Sequence, residues 1–392
     1  MRVDIPHHPD PTIPAGSSGP TDPPGRHWWR GPWWAWTVLP IGVVLFVAAS
    51  AGLITLVSSR ITSNSGGPEL VAPLPGSSGS APSVPGSGSP SPSGLPVAGP
   101  SATGKPVATT GGCAFPVSGG VCPIAPPLAA AAGKHWTVSF DEEFSGTALN
   151  TAKLSPCFDW NTGDCTSSFN HGREHYQPSQ VALSNGTAKL IAAPLSPPIS
   201  SSACRDSSCT YKAGLLSTAR PKASNPNYLF TFQYGYVESR FKFPATQGFF
   251  TAFWMLPADP TYAYQYEIDI LELLGDDPTT MFMTYSYAPD RTNSYPVNTG
   301  KFKNGKCATK DYSKDFVRMG VDWEPDHVAW FIDGVECGRF TGSGAQIANT
   351  PMQLILHMMV DNDWENRWNV PLLDPTLTRQ LEVDYIRVYQ QK

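Results

Sequence analysis

The chain has 392 residues, and only 15% of them are charged, against roughly 25% in an ordinary globular domain. It contains 40 Pro and 35 Gly residues, so a long unstructured part is expected beside a folded one. The net charge is −5 and Lys and Arg form no cluster, which argues against nucleic acid as a partner because that binding requires concentrated positive charge.

The N-terminal region predicts a membrane anchor. Residues 1–32 are Pro-rich and polar, and we expect them to form a disordered tail. Residues 33–58 carry no charge and are predicted to form one transmembrane helix, since about 20 apolar residues cross a bilayer. Tryptophans favour the membrane interface. Those at the N-terminal edge of the run are Trp28, Trp29, Trp33, Trp34 and Trp36.

Charge and cysteine placement predict the orientation of this anchor. Arg26 and Arg30 precede the apolar run and Arg60 follows it, which favours a cytoplasmic N-terminus. All eight cysteines follow the run, and disulfides persist in oxidising compartments, so we expect a single-pass protein of the cell membrane with an extracellular C-terminal part. A signal peptide cleaved near Ala51 is the alternative, although the tail before the run is long for one.

The rest of the chain divides into a linker and a folded domain. Residues 59–133 are rich in Pro, Ser and Gly and are predicted to form a flexible spacer. Residues 134–392 are predicted to form an all-β domain, because residues 236–243 and 381–389 alternate between polar and apolar side chains. Asp333-Gly334 predicts a hairpin turn. No long helical pattern occurs, so the expected fold is a β-jelly-roll sandwich of two antiparallel sheets.

The cysteine spacing predicts four disulfides. Three pairs would close short loops, which have a low entropic cost, and the two remaining cysteines form the fourth pair. The predicted pairs are Cys113–Cys122, Cys157–Cys165, Cys204–Cys209 and Cys307–Cys337. A zinc site is the competing interpretation, and the absence of any Cys-x-x-Cys pair argues against it.

Three acids stand within six residues of an otherwise apolar strand, residues 266–275. Side chains on a strand alternate, so Glu267 and Asp269 share a face. A one-residue β-bulge around Ile270-Leu271 would bring Glu272 to the same face. Neighbouring carboxylates repel and raise one pKa, and a glycosidase requires one ionised carboxylate and one protonated carboxyl group.

The surroundings of these acids favour a carbohydrate cleft. An acid-x-acid pattern alone is more typical of the solvated face of an edge strand than of a catalytic site. Here aromatic residues precede and follow the acids, and sugar rings stack on aromatic rings. The aromatic residues are Phe249, Phe250, Phe253, Trp254, Tyr285 and Tyr287.

The segment Glu267-Ile-Asp269-Ile-Leu-Glu272 closely resembles the signature of glycoside hydrolase family 16 in its longer, bulged form, typical of laminarinase-like members. Further segments resemble the family over about 250 residues. They are residues 140–144, 234–242, 252–256, 321–323, 332–335 and 383–389. The resemblance implies a jelly roll with a substrate cleft.

Roles follow from the resemblance residue by residue. Glu267 would be the nucleophile, Glu272 the general acid/base, and Asp269 would orient the nucleophile. Trp254 would line the substrate subsites. Catalysis would need no cofactor, while Asp384 stands where many members bind a structural calcium ion.

Departures from the family pattern add residues to the expected substrate-binding set. Phe250-Thr251 replaces the usual Trp-Pro, Tyr266 replaces Gly before the nucleophile, and Ser286 replaces a cleft histidine. Tyr287, which follows Ser286, completes the set.

These observations predict a monomeric retaining endo-glycosidase acting on internal β-linkages of an extracellular polysaccharide, with β-1,3- or mixed-linked glucan as the expected substrate. A cell-wall transglycosylase using the same glutamates is one alternative. A non-catalytic carbohydrate-binding module is another, and the presence of all three acids argues against it.

Overall fold

The structure is a computed structural model that describes residues 113–115, 117, 120–159, 170–220, 225–259, 265–288, 297–362 and 371–392. The tail, the transmembrane helix and most of the linker expected from the sequence lie outside these described residues. Within the described ranges, no helix has the length and apolar character needed to span a bilayer.

The described residues form sixteen strands arranged in two sheets. One sheet has ten strands and contains the order β14-β13-β12-β7-β16-β4-β5-β2, with β1 paired to β16 and β3 to β4. Its strands are β1 Trp136–Glu142, β2 Glu174–Tyr176, β3 Val181–Ser184, β4 Thr187–Ser200, β5 Ser208–Ala213, β7 Gly235–Lys242, β12 Val317–Glu324, β13 His327–Ile332, β14 Val335–Thr341 and β16 Arg379–Gln391.

The second sheet has six strands in the order β11-β10-β9-β8-β15-β6. Its strands are β6 Leu215–Ser217, β8 Phe249–Pro257, β9 Tyr266–Leu274, β10 Phe282–Tyr287, β11 Val297–Lys303 and β15 Met352–Val360. The described pairings are antiparallel except for β2 with β5, which is parallel. The predicted all-β sandwich of two sheets is therefore confirmed.

A single apolar core fills the space between the sheets. Phe241 of β7 and Phe253 of β8 meet there with ring centroids 5.5 Å apart. Trp323 and Trp330 are fully buried in the same core. Burial of each such large side chain contributes about 1.5–3 kcal/mol, so this core fixes the six-stranded sheet against its partner.

The hairpin predicted at Asp333-Gly334 joins β13 to β14. Asp333 has φ +52° and Gly334 has φ +84°. Two successive positive φ angles are typical of the type I′ turn, whose twist matches that of the flanking strands. The hairpin prediction is confirmed.

Disulfides close three of the predicted loops, Cys113–Cys122, Cys204–Cys209 and Cys307–Cys337. Cys157 is also disulfide-bonded, and its predicted partner, Cys165, lies outside the described residues. No described cysteine is a free thiol.

A segment ahead of Lys134 packs on the outer face of the ten-stranded sheet. We call it the strap, defined structurally by the described residues within 113–133, which are 113–115, 117 and 120–133. Phe115 meets Tyr389 edge to face at 5.8 Å, and the indole N–H of Trp136 donates to the Leu128 carbonyl at 3.0 Å. The strap partly covers a small apolar cluster formed by Trp136, Tyr236, Ala329, Phe331 and Tyr389. Packing against the sandwich thus begins ahead of the predicted domain boundary.

Candidate active site

The three acids lie on β9, which is flanked by β8 and β10 inside the six-stranded sheet. Asp269 is opposite Trp254 on β8, whereas Leu271 is opposite the adjacent Phe253. Ile270 is therefore one extra residue on β9, which defines a β-bulge. The register with β10 shifts over the same stretch. The bulge lies where the sequence predicts it.

The bulge places the three acids on one face of β9. Ile268 and Leu273 alternate with them and are buried, with 0% and 1% of their surface exposed. Glu267 and Glu272 are half-buried, and Asp269 is buried. We call Glu267, Asp269 and Glu272 the carboxylate row.

A tryptophan from the opposite sheet holds the bulge from the core side. The indole N–H of Trp330, on β13, donates to the backbone carbonyl of Asp269 at 2.8 Å. Bulges leave backbone groups outside the regular ladder, and a buried carbonyl needs a donor. Sequence reasoning missed this role, since Trp330 shows only the alternation of a core strand residue.

The carboxylate row resists full ionisation. Burial, together with the nearby Glu272, raises the pKa of Glu267 to about 8. Burial raises the pKa of Asp269 well above its ordinary value, and the charges of Glu267 and Glu272 add to that effect. The row therefore keeps protons at neutral pH, and Glu267 becomes a carboxylate only as the pH rises through about 8.

Trp254 and His357 lie on the same face of the sheet as the row. Trp254 is opposite Asp269, while His357 on β15 is opposite Ala252, which is itself opposite Glu272. Their ring centroids are 5.9 Å apart. His357 Nδ1 lies 2.8 Å from the hydroxyl of Tyr176, and burial lowers the pKa of His357 to about 3. This neutral histidine was missed, because only the register connects it with Glu272.

The predicted substrate-binding residues separate into two groups. Ser286 is opposite Glu267, so it lies on the face of the row, and Phe250 shares that face because it alternates with Thr251 ahead of Ala252. Tyr266 and Tyr287 are opposite each other and alternate with Glu267 and Ser286.

The structure therefore corrects the predicted set at Tyr266 and Tyr287, whose strand positions face away from the row. The Tyr266 hydroxyl donates to the Ala345 carbonyl at 3.2 Å. The ring of Tyr287 lies 6.3 Å from Phe340 of the other sheet.

Asp384 does not fit the calcium site that the resemblance implies. Its carboxylate accepts a hydrogen bond from Arg240 at 2.8 Å, and both side chains are buried. The guanidinium supplies the positive charge that the ion would bring. No cluster of three or more His, Cys, Asp or Glu side chains suited to a metal occurs in the described part of the chain.

Residues 202–387 match the model of the family described as Glycosyl hydrolases family 16. The bulged carboxylate row lies within this match. This match confirms the resemblance to glycoside hydrolase family 16 that the sequence predicts.

Curated relatives carry glucanase names. A beta-glucanase of Rhodothermus marinus is 29% identical over 175 residues, which are 41% of this chain and 58% of that protein. Glucan endo-1,3-beta-glucosidase A1 of Niallia circulans is 26% identical over 64% of this chain and 38% of its own length. The endo-1,3-1,4-beta-glycanase EglC of Rhizobium meliloti is 26% identical over 55% of this chain and 41% of its own length. The chain thus spans less than two thirds of the length of each of these relatives.

Solved structures share the fold. The endo-beta-1,3-glucanase of Pyrococcus furiosus has a TM-score of 0.52 at 23% identity and covers 68% of this chain and 99% of its own. SCLam, a non-specific endo-beta-1,3(4)-glucanase, has a TM-score of 0.53 at 23% identity. The match covers 68% of this chain and 94% of SCLam. At this identity the likeness shows the jelly-roll fold.

Proposed function

We propose that this protein is a retaining endo-β-glucanase that hydrolyses internal β-1,3 or mixed linkages. The observation that carries the proposal is the carboxylate row, which a β-bulge and Trp330 hold on one face of the six-stranded sheet. The names of the curated relatives support glucan as the substrate class.

In the proposed mechanism Glu267 attacks the anomeric carbon while Glu272 protonates the departing glycosidic oxygen. A glycosyl ester on Glu267 forms, and Glu272 then removes a proton from water, which displaces the sugar from Glu267. Asp269 has a raised pKa and stands two positions from Glu267 on the same face. In its protonated form it is suited to donate a hydrogen bond to the nucleophile and so to orient it.

Two substitutions test the assignment. Glu267→Gln should abolish hydrolysis of laminarin and lichenan with the fold intact, because an amide has the shape of the carboxylate but forms no glycosyl ester. Glu272→Gln should impair these polysaccharides far more than an activated aryl glycoside, whose leaving group departs without a proton. Glu382→Gln, on the ten-stranded sheet, serves as the control and should retain activity.

The stereochemistry of the first product gives an independent measurement. Proton NMR should show a product of retained anomeric configuration. An inverted product, or full activity of Glu267→Gln, would contradict the assignment of Glu267 as the nucleophile of a retaining enzyme. Chain lengths of the products distinguish hydrolysis from transfer to a second glycan, because only transfer yields products longer than the starting chains.

We also propose that the catalytic domain is monomeric and extracellular and that residues 33–58 anchor it to the cell membrane through the linker of residues 59–133. The apolar character of residues 33–58 supports this proposal, as do the disulfides of the domain. The protein should fractionate with membranes, and protease added to intact cells should release the domain. A soluble mature form that starts near Ala51 would instead identify a cleaved signal peptide.

A further inference from the structure

The six-stranded sheet carries two lysines at the edge next to the carboxylate row. Strand β11 ends the sheet on that side and pairs antiparallel with β10. Lys301 is opposite Thr284 and Lys303 is opposite Phe282. Both lysines are exposed.

The register links each lysine to one acid of the row. Thr284 is opposite Asp269, and Phe282 is opposite Glu272. Directly opposed residues of antiparallel strands share a face, so both lysines project on the side of the row. Neighbouring strands are about 4.8 Å apart, which places each lysine backbone about 10 Å from that of its acid.

Local packing supports this direction. Phe302 stands between the two lysines and packs its ring 5.2 Å from that of Trp330, on the core side. The ammonium group of Lys303 lies 5.2 Å from the ring centroid of Phe282, itself the neighbour of Glu272 across the ladder. The apolar stem and the charged head of Lys303 are therefore held beside the row.

Two other exposed lysines have carboxylate partners. Lys306 pairs with Glu336 at 3.4 Å, and Lys314 pairs with Asp311 at 3.3 Å. Lys301 has no such ion pair within the described ranges. Its charge is directed to the face that would hold substrate.

We propose that Lys301 and Lys303 recognise an anionic substituent on the polysaccharide, so that the substrate is an acidic β-glucan rather than a wholly neutral one. This inference rests on the proposed function of the carboxylate row. Ammonium groups bind carboxylates and sulfates as point charges. The substituent would sit on a sugar bound beside the row, over β10 and β11, where the lysines offset the repulsion between the acids and an anionic chain.

Two other roles are open to lysines at this position. Charged side chains on an edge strand discourage pairing with other chains. Positive charge near the row would also lower the pKa values of its acids. Neither role produces a preference between anionic and neutral substrates. Substrate preference therefore distinguishes the proposed recognition role from these two.

The experiment compares the full chain with its Lys301→Gln/Lys303→Gln variant on three substrates: laminarin, laminarin partly oxidised at C6 to carboxylates, and partly sulfated laminarin. The ratio of kcat/KM for each anionic substrate to that for laminarin should fall about five- to tenfold in the variant, the size expected for two exposed charge contacts. Added salt should reduce the native ratio, because it screens exposed charges. The control variant Lys306→Gln/Lys314→Gln removes the same two charges and should leave the ratio unchanged.

An unchanged ratio would overturn the proposal, as would a variant that shifts only the pH profile on neutral laminarin. The two anionic substrates distinguish a carboxylate from a sulfate as the favoured group. Failure of the native protein to cleave any of the three substrates would refute the hydrolase function itself. In that case, affinity electrophoresis of Glu267→Gln, with and without the lysine changes, in gels containing each glucan still measures the preference, and equal retardation would overturn it.

Discussion

At the level of single residues, the pKa of Glu267 decides when the proposed nucleophile is ionised. Its pKa is raised to about 8 by burial and by Glu272. The carboxylate form is therefore lost as the pH falls through 8, which predicts an acid limb of activity at unusually high pH.

Replacement of Glu272 by Gln removes the second cause of that shift. The acid limb of kcat/KM for an activated aryl β-glucoside should move to lower pH, because Glu267 would no longer ionise beside a like charge. The pH–rate profile measures this directly. Asp315→Asn, at an exposed carboxylate before β12, should leave the limb in place. A limb unchanged in Glu272→Gln would show that the two groups do not interact.

The hydrogen bond from Trp330 to the Asp269 carbonyl is the second contact with a measurable effect. Trp330→Phe keeps an aromatic ring in the core but leaves a buried carbonyl without this donor, at a cost of about 1–3 kcal/mol in unfolding free energy. The bulge would loosen, so kcat should fall more than KM rises.

Trp323→Phe is the matched control. Its indole is equally buried and donates to the Ala348 carbonyl at 2.9 Å. Loss of that bond should destabilise the fold by a similar amount with kcat preserved. If the two variants lower kcat equally, Trp330 contributes only to the stability of the core and has no specific effect on the bulge. Denaturant unfolding and steady-state kinetics on laminarin provide both measurements.

At the level of elements, the β-bulge of β9 determines which side chains reach the cleft face. Deletion of Ile270 leaves Glu-Ile-Asp-Leu-Glu, in which regular alternation keeps all three acids on one face. Deletion of Ile268 instead makes Glu267 and Asp269 adjacent, so they would face opposite sides. Both deletions remove a fully buried isoleucine and should destabilise by about 2–5 kcal/mol.

Activity should therefore survive in part without Ile270 and disappear without Ile268. Laminarin hydrolysis at low temperature, with circular dichroism to verify folding, measures the difference. If both deletion variants fold and are equally inactive, alternation of side chains does not explain the arrangement of the row.

The sequence predicts the bulge because strict alternation would turn Glu272 to the apolar face of the strand. One extra residue returns it to the face of Glu267 and Asp269. The expected substrate-binding set fails at Tyr266 and Tyr287, because it follows the family resemblance and disregards alternation, which places each tyrosine on the face opposite its neighbour, Glu267 or Ser286. His357 was missed for a different reason. Its place two strands from Glu272 is a property of the sheet order.

At the level of the whole molecule, the composition of the strap does not predict that it packs on the sandwich. Residues 113–133 are rich in Pro, Gly and Ala, which predicts a linker. Only a few apolar side chains, among them Phe115 and Leu128, contact the outer face of the sandwich. Composition averages over such contacts, so the domain boundary expected from the sequence falls after the strap rather than before it.

Removal of the strap from the whole chain tests its contribution to stability. Deletion of residues 113–133 would expose Tyr236, Phe331 and Tyr389, which it partly covers. Lost burial of Phe115 and Leu128 alone should cost about 2–3 kcal/mol, because both are only partly buried. That loss corresponds to a fall in Tm of about 5–10 °C for a domain of this size.

A deletion of equal length in the predicted linker, residues 76–96, is the control and should leave Tm unchanged. Phe115→Ala in the intact chain should reproduce part of the fall, because it removes the ring that meets Tyr389 edge to face at 5.8 Å. The carboxylate row lies on the other sheet, so the pH–rate profile should be the same in all three variants. Equal Tm values for the strap and linker deletions would mean that the strap rests on the sandwich without stabilising it.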